Sequence, residues 1–331
     1  MEENREILVS IIIPVYQAKD TLDRCVLSCL NQKFVKEGEI EVILVDDGST
    51  DGSSDICDRL AGEDEHGRVQ VVHTENHGVS HARNVGLEHA GGRFVVFVDS
   101  DDEVGAGYLE TLMKYADEGT SLVYETRSFA GNTKLSGFQY IENSVLDHNT
   151  HVWGKLFERK SIEEGHVRFK EGLAIGEDLL FLLDFAISQG KRHTIKCIDD
   201  GNYIYTENAA GAMKQEFKES YLGEILSWRE AEEKLLPYKN EMSRDAFVSL
   251  SVNQILTAFL VIGKVAVLGQ DKRDNDLARL AVDEAREQIE HALKTQGVFA
   301  ALPLGHKIKT ALFRLSPELY LKLYGRHKGK G

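Results

Sequence analysis

A run of acidic residues follows a short apolar segment, and its spacing could build a metal site. Residues 94–98 read FVVFV and are followed by Asp99, Ser100, Asp101 and Asp102. Side chains two positions apart on a strand point to the same face, so Asp99 and Asp101 would share a face, whereas Asp102 would point elsewhere unless the chain turns first. Like charges held together favour a bound cation, and carboxylate oxygens suit Mg²⁺ or Mn²⁺, which would in turn hold a diphosphate.

Two further acidic pairs accompany this motif. Asp46 and Asp47 end a second apolar run and precede a turn-forming Gly-Ser pair, while Glu177 and Asp178 stand at the start of a helical pattern. Each motif also has a plainer explanation, because acidic loops cap helices and acids stabilise a helix N-terminus. Two acidic strand ends in one sheet favour the metal site over the capping explanation.

Alternating strand and helix patterns in the N-terminal part of the chain would position these side chains. Apolar runs at 7–15, 41–46, 69–73 and 94–98 lack polar alternation, which is typical of strands buried on both faces of a parallel sheet. Apolar stripes at helical spacing lie between them. This alternation predicts an α/β fold with a doubly wound, mostly parallel sheet, whose ligands bind beyond the carboxyl ends of the strands, where the acidic residues lie.

Taken together, these segments resemble the family 2 glycosyltransferases, inverting enzymes with the GT-A fold. The resemblance covers about residues 7–185 and keeps the order of the family's motifs. It implies that a hexosyl or hexosaminyl group moves from a nucleotide-sugar donor to a hydroxyl of a glycan acceptor, in the synthesis of a surface polysaccharide or exopolysaccharide. The matching segments are VSIIIPVYQA (9–18), VILVDDGSTDGS (42–53), NHGVSHARNVGLEHAGGRFVVFVDSDD (76–102), WGKLF (153–157) and IGEDLLF (175–181).

The resemblance assigns most of the candidate residues to the donor, which it expects to be a UDP-sugar. Asp47, or its neighbour Asp46, would accept a hydrogen bond from the uracil N–H. Within the family's D-x-D motif, Asp101 would ligate Mn²⁺ or Mg²⁺ and Asp99 would contact ribose or metal, with Asp102 as the ligand if the motif shifts by one residue. The other donor-binding residues would be Pro14, Val15 and Tyr16 at the base and ribose, Ser100, and Arg83 at the diphosphate or donor sugar.

The pair Glu177 and Asp178 matches the position of the family's catalytic base. In-line attack by the acceptor hydroxyl needs a base to take its proton, and a metal would neutralise the leaving diphosphate. Neighbouring residues on a helix diverge by about 100°, so only one carboxylate can face the acceptor. Asp178 is the expected base, and Glu177 would then cap the helix or orient its neighbour.

The acceptor side is less clearly marked in the sequence. By resemblance, Trp153, Gly154 and Lys155 would border the acceptor cleft, although the same residues also suit a packed aromatic ring beside a solvated lysine. Residues 125–150 lose the strand and helix patterns and are interpreted as loops with short strands.

Composition and charge exclude several functions. The chain has 331 residues, and its formal net charge of −15 repels phosphate backbones, so no nucleic-acid partner is expected. Neither the G-x-G-x-x-G dinucleotide motif nor the P-loop motif occurs. Two alternatives remain open. A sugar nucleotidyltransferase would need a phosphate loop rich in glycine and lysine near the N-terminus, and a nucleotide-sugar-binding scaffold subunit would lack turnover.

The sequence divides into three parts: a catalytic domain at 1–210, a helical region at 211–303 and a basic amphipathic tail at 304–331. Asn253, Gln254 and Lys264 interrupt the apolar stretch at 246–268, which predicts a buried helix rather than a membrane span. Nothing in the pattern predicts the oligomeric state. Helices are expected at 177–189, 221–236, 243–268 and 271–295, and one or two strands at 196–205.

The tail carries seven Lys or Arg residues against one Glu, a local charge of +6, so the rest of the chain carries −21. Apolar residues recur in it at helical steps, and Ser316-Pro317 is typical of a helix restart. Such a segment indicates either contact with a membrane surface or a helix docked on the core.

Four cysteines are too few for a disulfide scaffold. The expectation is a cytoplasmic enzyme at the inner face of the cell membrane, acting on polyprenyl-diphosphate-linked glycans.

Overall fold

The chain forms two compact units. The computed structural model describes residues 7–33, 39–126, 134–199, 202–206, 216–268, 273 and 275–328. The first unit comprises Met1–Ser144 and Asn149–Asn208, and the second comprises Val145–His148 and Ala209–Gly331. The described part of the tail belongs to the second unit and forms no unit of its own. The inclusion of residues 145–148 in the second unit had no signal in the sequence.

Strands and helices alternate in the first unit. Its strands are β1 (Val9–Val15), β2 (Ile40–Asp47), β3 (Val69–Thr74), β4 (Phe94–Phe97), β5 (Glu103–Val104), β6 (Leu122–Glu125), β7 (Lys134–Leu135), β8 (Lys155–Glu158), β9 (Ile195–Ile198) and β10 (Tyr203–Ile204). Its helices are α1 (Leu22–Leu30), α2 (Ser53–Glu63), α3 (Val79–His89), α4 (Tyr108–Met113), α5 (Gly137–Asn143), α6 (Arg159–Glu164) and α7 (Glu177–Gln189).

Eight of these strands form one sheet in the order β3-β2-β1-β4-β8-β6-β9-β7. The first four are parallel to one another, whereas β8 runs antiparallel to both β4 and β6. The strands β5 and β10 form a separate antiparallel pair. The prediction of a doubly wound, mostly parallel sheet is therefore confirmed.

The apolar runs form strands because they can be buried on both faces. Every residue of β1 and of β2 is buried, as expected for central strands of a sheet covered on both sides. The helices lie over these faces, and α3 approaches β1 very closely at Gly86. A Cβ atom on Gly86 would lie 2.3 Å from Ile12 Cγ2, so only glycine allows this approach.

The order of the strands places a crevice at the carboxyl ends of β1 and β4. From β1, the chain first adds β2 and β3 on one side and then returns through α3 to add β4 on the other side. In doubly wound sheets, ligands bind where the strand order reverses in this way. The residues that follow these two strands are Tyr16 and the acidic segment from Asp99 to Asp102.

The interpretation of residues 125–150 as loops with short strands agrees with the two-residue strand β7 but is wrong at Gly137–Asn143, which form helix α5. Helix α5 begins after Ser136, whose hydroxyl accepts a hydrogen bond from the Gln139 amide, while the Gln139 side chain accepts one from the Ser136 amide. This reciprocal pattern is a capping box. Residues 127–133 lie outside the described residues.

The second unit is helical. Its helices are α8 (Leu222–Leu235), α9 (Arg244–Ala266), α10 (Asp276–Ala292), α11 (Val298–Ala301), α12 (Leu304–Leu315) and α13 (Pro317–Lys328). By length and composition α9 could cross a membrane, but 61% of its most apolar window is buried within the protein. Its polar residues bond inside the unit. The Asn253 side-chain amide donates to the Leu146 carbonyl at 2.8 Å, and the Gln254 side-chain amide donates to the Glu232 carboxylate at 2.7 Å. Such internal bonds are expected for a buried helix.

Candidate active site

The carboxyl ends of β1 and β2 lie side by side. Their parallel register pairs Val15 with Asp46, so Asp46 and Asp47 stand next to Tyr16, whose side chain is exposed. Both carboxylates are buried and bonded within the fold. Asp46 accepts hydrogen bonds from Ser49, Ser54 and His73, and Asp47 accepts them from the amides of His77 and Gly78 at 2.9 and 2.8 Å. The assignment of either carboxylate to a uracil N–H stays a prediction.

The acidic segment after β4 is held by the first turn of α1. The Thr21 hydroxyl donates to the Ser100 carbonyl at 2.8 Å, and Arg24 donates to the Asp101 carbonyl at the same distance. These two bonds fix the backbone of the segment. The sequence motif gave no sign of this support from α1.

Asp102 is bonded on both carboxylate oxygens. The Tyr203 hydroxyl donates to Oδ2 at 2.7 Å and the Thr206 amide donates to Oδ1 at 2.7 Å. Burial, reinforced by the nearby charges of Asp99 and Asp101, raises the pKa of Asp102 to about 6. In this arrangement Asp102 ties the acidic segment to β10. The chain turns at this point, with the Asp102 amide donating to the Asp99 carbonyl, and Asp99 and Asp101 stay partly exposed while Asp102 is buried.

Arg83 joins the acidic segment to the pair at the start of α7. Its side chain, on α3, is buried, and one terminal nitrogen (Nη2) donates to Asp99 Oδ1 at 3.0 Å. The other (Nη1) donates to Asp178 Oδ1 at 2.8 Å and to Glu177 Oε1 at 3.1 Å. The sequence placed Arg83 at the diphosphate or donor sugar. In the structure its terminal nitrogens face three carboxylates, and contact with the donor stays a prediction.

Glu177 and Asp178 lie in the first turn of α7, where the helix dipole stabilises negative charge. Asp178 Oδ2 also accepts a hydrogen bond from the Val152 amide at 2.9 Å. Burial, together with the charge of Asp178, raises the pKa of Glu177 to about 7, and burial likewise raises the pKa of Asp178. A raised pKa brings a carboxyl group closer to the neutral range in which general bases work.

The first residue of β8, Lys155, lies near the Glu177–Asp178 pair. Lys155 is buried, and its ammonium group donates to Asn149 Oδ1 and to the His151 carbonyl, each at 2.6 Å. The interpretation of this residue as a solvated lysine is therefore wrong. Burial lowers the pKa of Lys155 to about 7, against the opposing attraction of Asp178 and Glu125. Its charge interactions with Asp178 and Glu125 place Lys155 close to the Glu177–Asp178 pair.

The ring of Trp153, two residues before Lys155, lies nearly parallel to three other aromatic rings. Trp153 stacks on His151 with ring centres 3.5 Å apart and on Tyr203 at 4.6 Å, and Tyr205 follows at 5.9 Å from Trp153. Sequence analysis missed Tyr203, whose hydroxyl bonds Asp102. Its only signal was a Tyr-x-Tyr strand about 100 residues from the D-x-D motif, and that spacing carries no information about contact.

The carboxylate oxygens of the acidic segment are suitable ligands for a hard divalent cation that is bound together with a diphosphate. Asp99 and Asp101 both raise the pKa of Asp102 through their charge, so the three carboxylates lie close together. Within the described ranges, no group of three or more His, Cys, Asp or Glu residues has the arrangement of a complete metal cage. Mg²⁺ commonly binds to one or two carboxylates and takes its other ligands from substrate phosphates and water. Asp99 and Asp101 match that requirement.

The fold and the site define a class of protein: an α/β protein with acidic residues at the place where the strand order of its sheet reverses. The chain belongs to glycosyl transferase family 2, as the sequence resemblance indicated. The model of that family matches residues 10–172. Glycosyltransferase GlyG of Streptococcus pneumoniae is 42% identical over 243 residues, which cover 66% of this chain and 77% of GlyG.

Other relatives and a solved structure support the same family and fold. The uncharacterized glycosyltransferase EpsJ of Bacillus subtilis is 32% identical over 61% of this chain, and the match spans 61% of EpsJ. The succinoglycan biosynthesis protein ExoO of Rhizobium meliloti is 30% identical over 60% of both chains. The crystal structure of Staphylococcus aureus TarS 1-349 in complex with UDP-GlcNAc superposes with a TM-score of 0.58, covering 88% of this chain and 93% of TarS 1-349 at 21% identity. TarS therefore shares the fold.

Proposed function

We propose that this protein is a metal-dependent inverting glycosyltransferase that uses a nucleotide sugar, most simply a UDP-sugar. One observation carries the proposal. Arg83 connects Asp99 of the D-x-D motif to Asp178 and Glu177, so the groups expected to hold the donor diphosphate and the group expected to take the acceptor proton face one buried guanidinium. A single displacement at the sugar carbon needs these two functions on opposite sides of that carbon.

Asp99 and Asp101 would hold Mn²⁺ or Mg²⁺, which when bound neutralises charge on the leaving diphosphate. Asp178 would accept the proton of the attacking hydroxyl. Its Oδ2 bond to the Val152 amide and its Oδ1 bond to Arg83 fix the orientation of the carboxylate. Glu177, which shares Arg83, would act as the positioning residue. The raised pKa of both carboxyl groups matches a base that must bind and then release a proton.

The names of related proteins support a choice of donor and acceptor. TarS is described in complex with UDP-GlcNAc, which supports a UDP-sugar here, with Pro14, Val15 and Tyr16 beside the base and ribose. ExoO is a succinoglycan biosynthesis protein, which supports a glycan acceptor in the synthesis of a surface polysaccharide or exopolysaccharide. A polyprenyl-diphosphate-linked glycan would suit a cytoplasmic enzyme at the inner face of the cell membrane.

Two substitutions separate donor binding from proton transfer. Asp101→Ala should abolish Mn²⁺-dependent binding of UDP, because it removes the expected metal ligand. Asp178→Asn should leave UDP binding nearly unchanged and lower turnover by about 10² to 10⁴-fold, the usual loss for a general base. Calorimetric titration with UDP and Mn²⁺ measures binding, and UDP release from a set of UDP-sugars measures turnover.

Asp58→Ala is a matched control, because Asp58 is an exposed carboxylate on α2 whose partner is His73. Asp58→Ala should leave both readouts unchanged. Equal losses of UDP affinity in Asp101→Ala and Asp178→Asn would contradict the division of roles. UDP binding without any release of UDP from a donor would instead favour the scaffold subunit that lacks turnover.

A further inference from the structure

The exposed side of α12 is apolar. Leu304, Ile308 and Leu315 are 74%, 63% and 80% exposed, and together with Ala311 they recur at the spacing of one helix face. A surface helix normally turns such a face towards the core. On α13, Leu319 and Leu323 are exposed at the same four-residue step. We call these five leucine and isoleucine residues the tail face.

The opposite side of the same helices is anchored to the second unit. Phe313 of α12 and Tyr320 of α13 are buried, and both rings lie within 6 Å of the Phe259 ring on α9, at 5.9 and 5.5 Å between centres. Thr310 is also buried. Both α12 and α13 are therefore held in place by one side. The described residues of the chain leave Leu304, Ile308 and Leu315 mostly exposed and Leu319 and Leu323 a little under half exposed.

Positive charge is concentrated in the segment that carries the tail face. From residue 304 onward the chain carries a formal charge of +6, whereas the remaining residues carry −21. Arg314 is paired with Glu290 at 2.7 Å, and the other basic residues of the two helices include Lys307, Lys322 and Arg326. An anionic surface would attract the tail and repel most of the rest of the molecule.

We infer that the tail face is a docking surface for an anionic lipid membrane, with its leucine and isoleucine side chains entering the interface and the lysine and arginine residues contacting lipid phosphates. An exposed apolar face flanked by basic residues is the pattern of helices that lie in the plane of a membrane. A second copy of the chain fits less well, because a two-fold interface would bring two +6 segments together.

Sedimentation of the full chain with lipid vesicles tests this inference. The protein should sediment with vesicles of phosphatidylcholine mixed with phosphatidylglycerol and remain in solution with phosphatidylcholine alone, and added salt should weaken binding because it screens the charges. Ile308→Glu and Leu315→Glu should each reduce the bound fraction roughly tenfold, since a carboxylate replaces an inserted apolar group.

Leu280→Glu is the matched control, because Leu280 is 46% exposed on α10, belongs to the same unit and undergoes the same change of charge. It should sediment like the unaltered chain. Circular dichroism checks that all three variants fold. UDP release from UDP-sugars in solution should be the same in all three, so a failure of the docking surface is distinguishable from a failure of the proposed transferase activity.

Three results would overturn the inference. The first is equal sedimentation of Ile308→Glu, Leu315→Glu and the unaltered chain. The second is equal binding to both kinds of vesicle. The third is a dimer, measured by light scattering, that Leu315→Glu converts to a monomer, since the tail face would then be an interface between copies of this chain.

Discussion

At the scale of residues, the site is organised around a buried positive charge. The Arg83 guanidinium contacts Asp99, Glu177 and Asp178 within 3.1 Å. Removing a charge from water costs several kcal/mol, and only close counter-charges and hydrogen bonds compensate for that cost. The three carboxylates supply both. Their own burial is tolerated for the same reason, so the four groups depend on one another.

Replacement of Arg83 by methionine should therefore be strongly destabilising. Arg83→Met keeps an unbranched side chain of similar length but removes the guanidinium that contacts all three carboxylates, which we expect to cost about 3 to 5 kcal/mol of unfolding free energy. The loss should be smaller at acidic pH. Burial already raises the pKa of Glu177 to about 7, and Arg83 opposes this shift, so its removal should raise the pKa further. A carboxyl group whose pKa is raised by folding loses stability as the pH rises, so the loss in the variant relative to the unaltered chain should grow as the pH rises above about 7.

Urea unfolding at a series of pH values measures this effect. Arg59→Met is the control, because Arg59 also contacts two carboxylates, Asp23 at 2.5 Å and Glu63 at 2.9 Å, but on the surface. Exposed ion pairs contribute about 0 to 1 kcal/mol. Similar losses in the two variants, or a loss in Arg83→Met that is independent of pH, would contradict the role assigned to Arg83.

The sequence predicted which acidic residues matter but not what joins them. Strand alternation and sheet topology suffice to bring Asp46, Asp47 and Asp99 to one edge, because parallel strands end together. The contacts of Arg83 with Asp178 and of Tyr203 with Asp102 span 95 and 101 positions. Contacts between side chains so far apart depend on how the loops close, which the pattern of a single sequence does not encode.

At the scale of elements, the position of α3 decides where Arg83 lies. Gly86 is one turn after Arg83 and lies against Ile12 of β1, whose branched side chain has little freedom to move away. The close approach of helix and strand therefore sets the depth of the guanidinium in the crevice. A larger residue at this position would act on the site through the backbone.

Gly86→Ala should displace α3 and disturb the site. A Cβ atom 2.3 Å from Ile12 Cγ2 forces a shift of the helix, at a cost of about 1 to 3 kcal/mol for overpacking. Turnover of UDP-sugars should fall as well, because Arg83 moves with the helix. Thermal unfolding and UDP release provide the two readouts.

Gly62→Ala is the corresponding control. Gly62 lies in the last turn of α2 with no atom within 4 Å of its added Cβ, so alanine there should be neutral or stabilise the helix by up to about 1 kcal/mol. Unchanged turnover in Gly86→Ala would show that the depth of α3 does not govern the site.

The success of prediction from sequence differed between elements for physical reasons. The strands β1 to β4 were predicted within two residues because continuous apolar runs mark strands buried on both faces, and α7 matched at both ends because Gly176 and Gly190 flank it. The two-residue strands β5 and β10 are too short to show any periodicity. Helix α5 was missed although its capping box, Ser136 with Gln139, stands in the sequence.

At the scale of the whole molecule, each unit has a hydrophobic core of its own. The first is built around the sheet, with Val9, Ile11 and Phe94 among its fully buried residues, and the second around α9, whose Phe259 packs against Phe313. All the candidate site residues belong to the first unit. Ligand binding should therefore stabilise the first unit directly, because binding to a native state adds to its free energy of unfolding.

Differential scanning calorimetry should show two transitions, one of which responds to UDP and Mn²⁺. At a hundred times the dissociation constant the ligand adds about 2.7 kcal/mol to the unit that binds it. Two core substitutions assign the transitions: Phe185→Leu, beside Phe157 in the first unit, and Phe313→Leu in the second. UDP with Mn²⁺ should raise the transition that Phe185→Leu lowers and leave the other in place. If UDP with Mn²⁺ instead raised the transition that Phe313→Leu lowers, the ligand would bind the second unit and the assignment of the site to the first unit would be contradicted. A single transition lowered by both substitutions would show that the two cores unfold together.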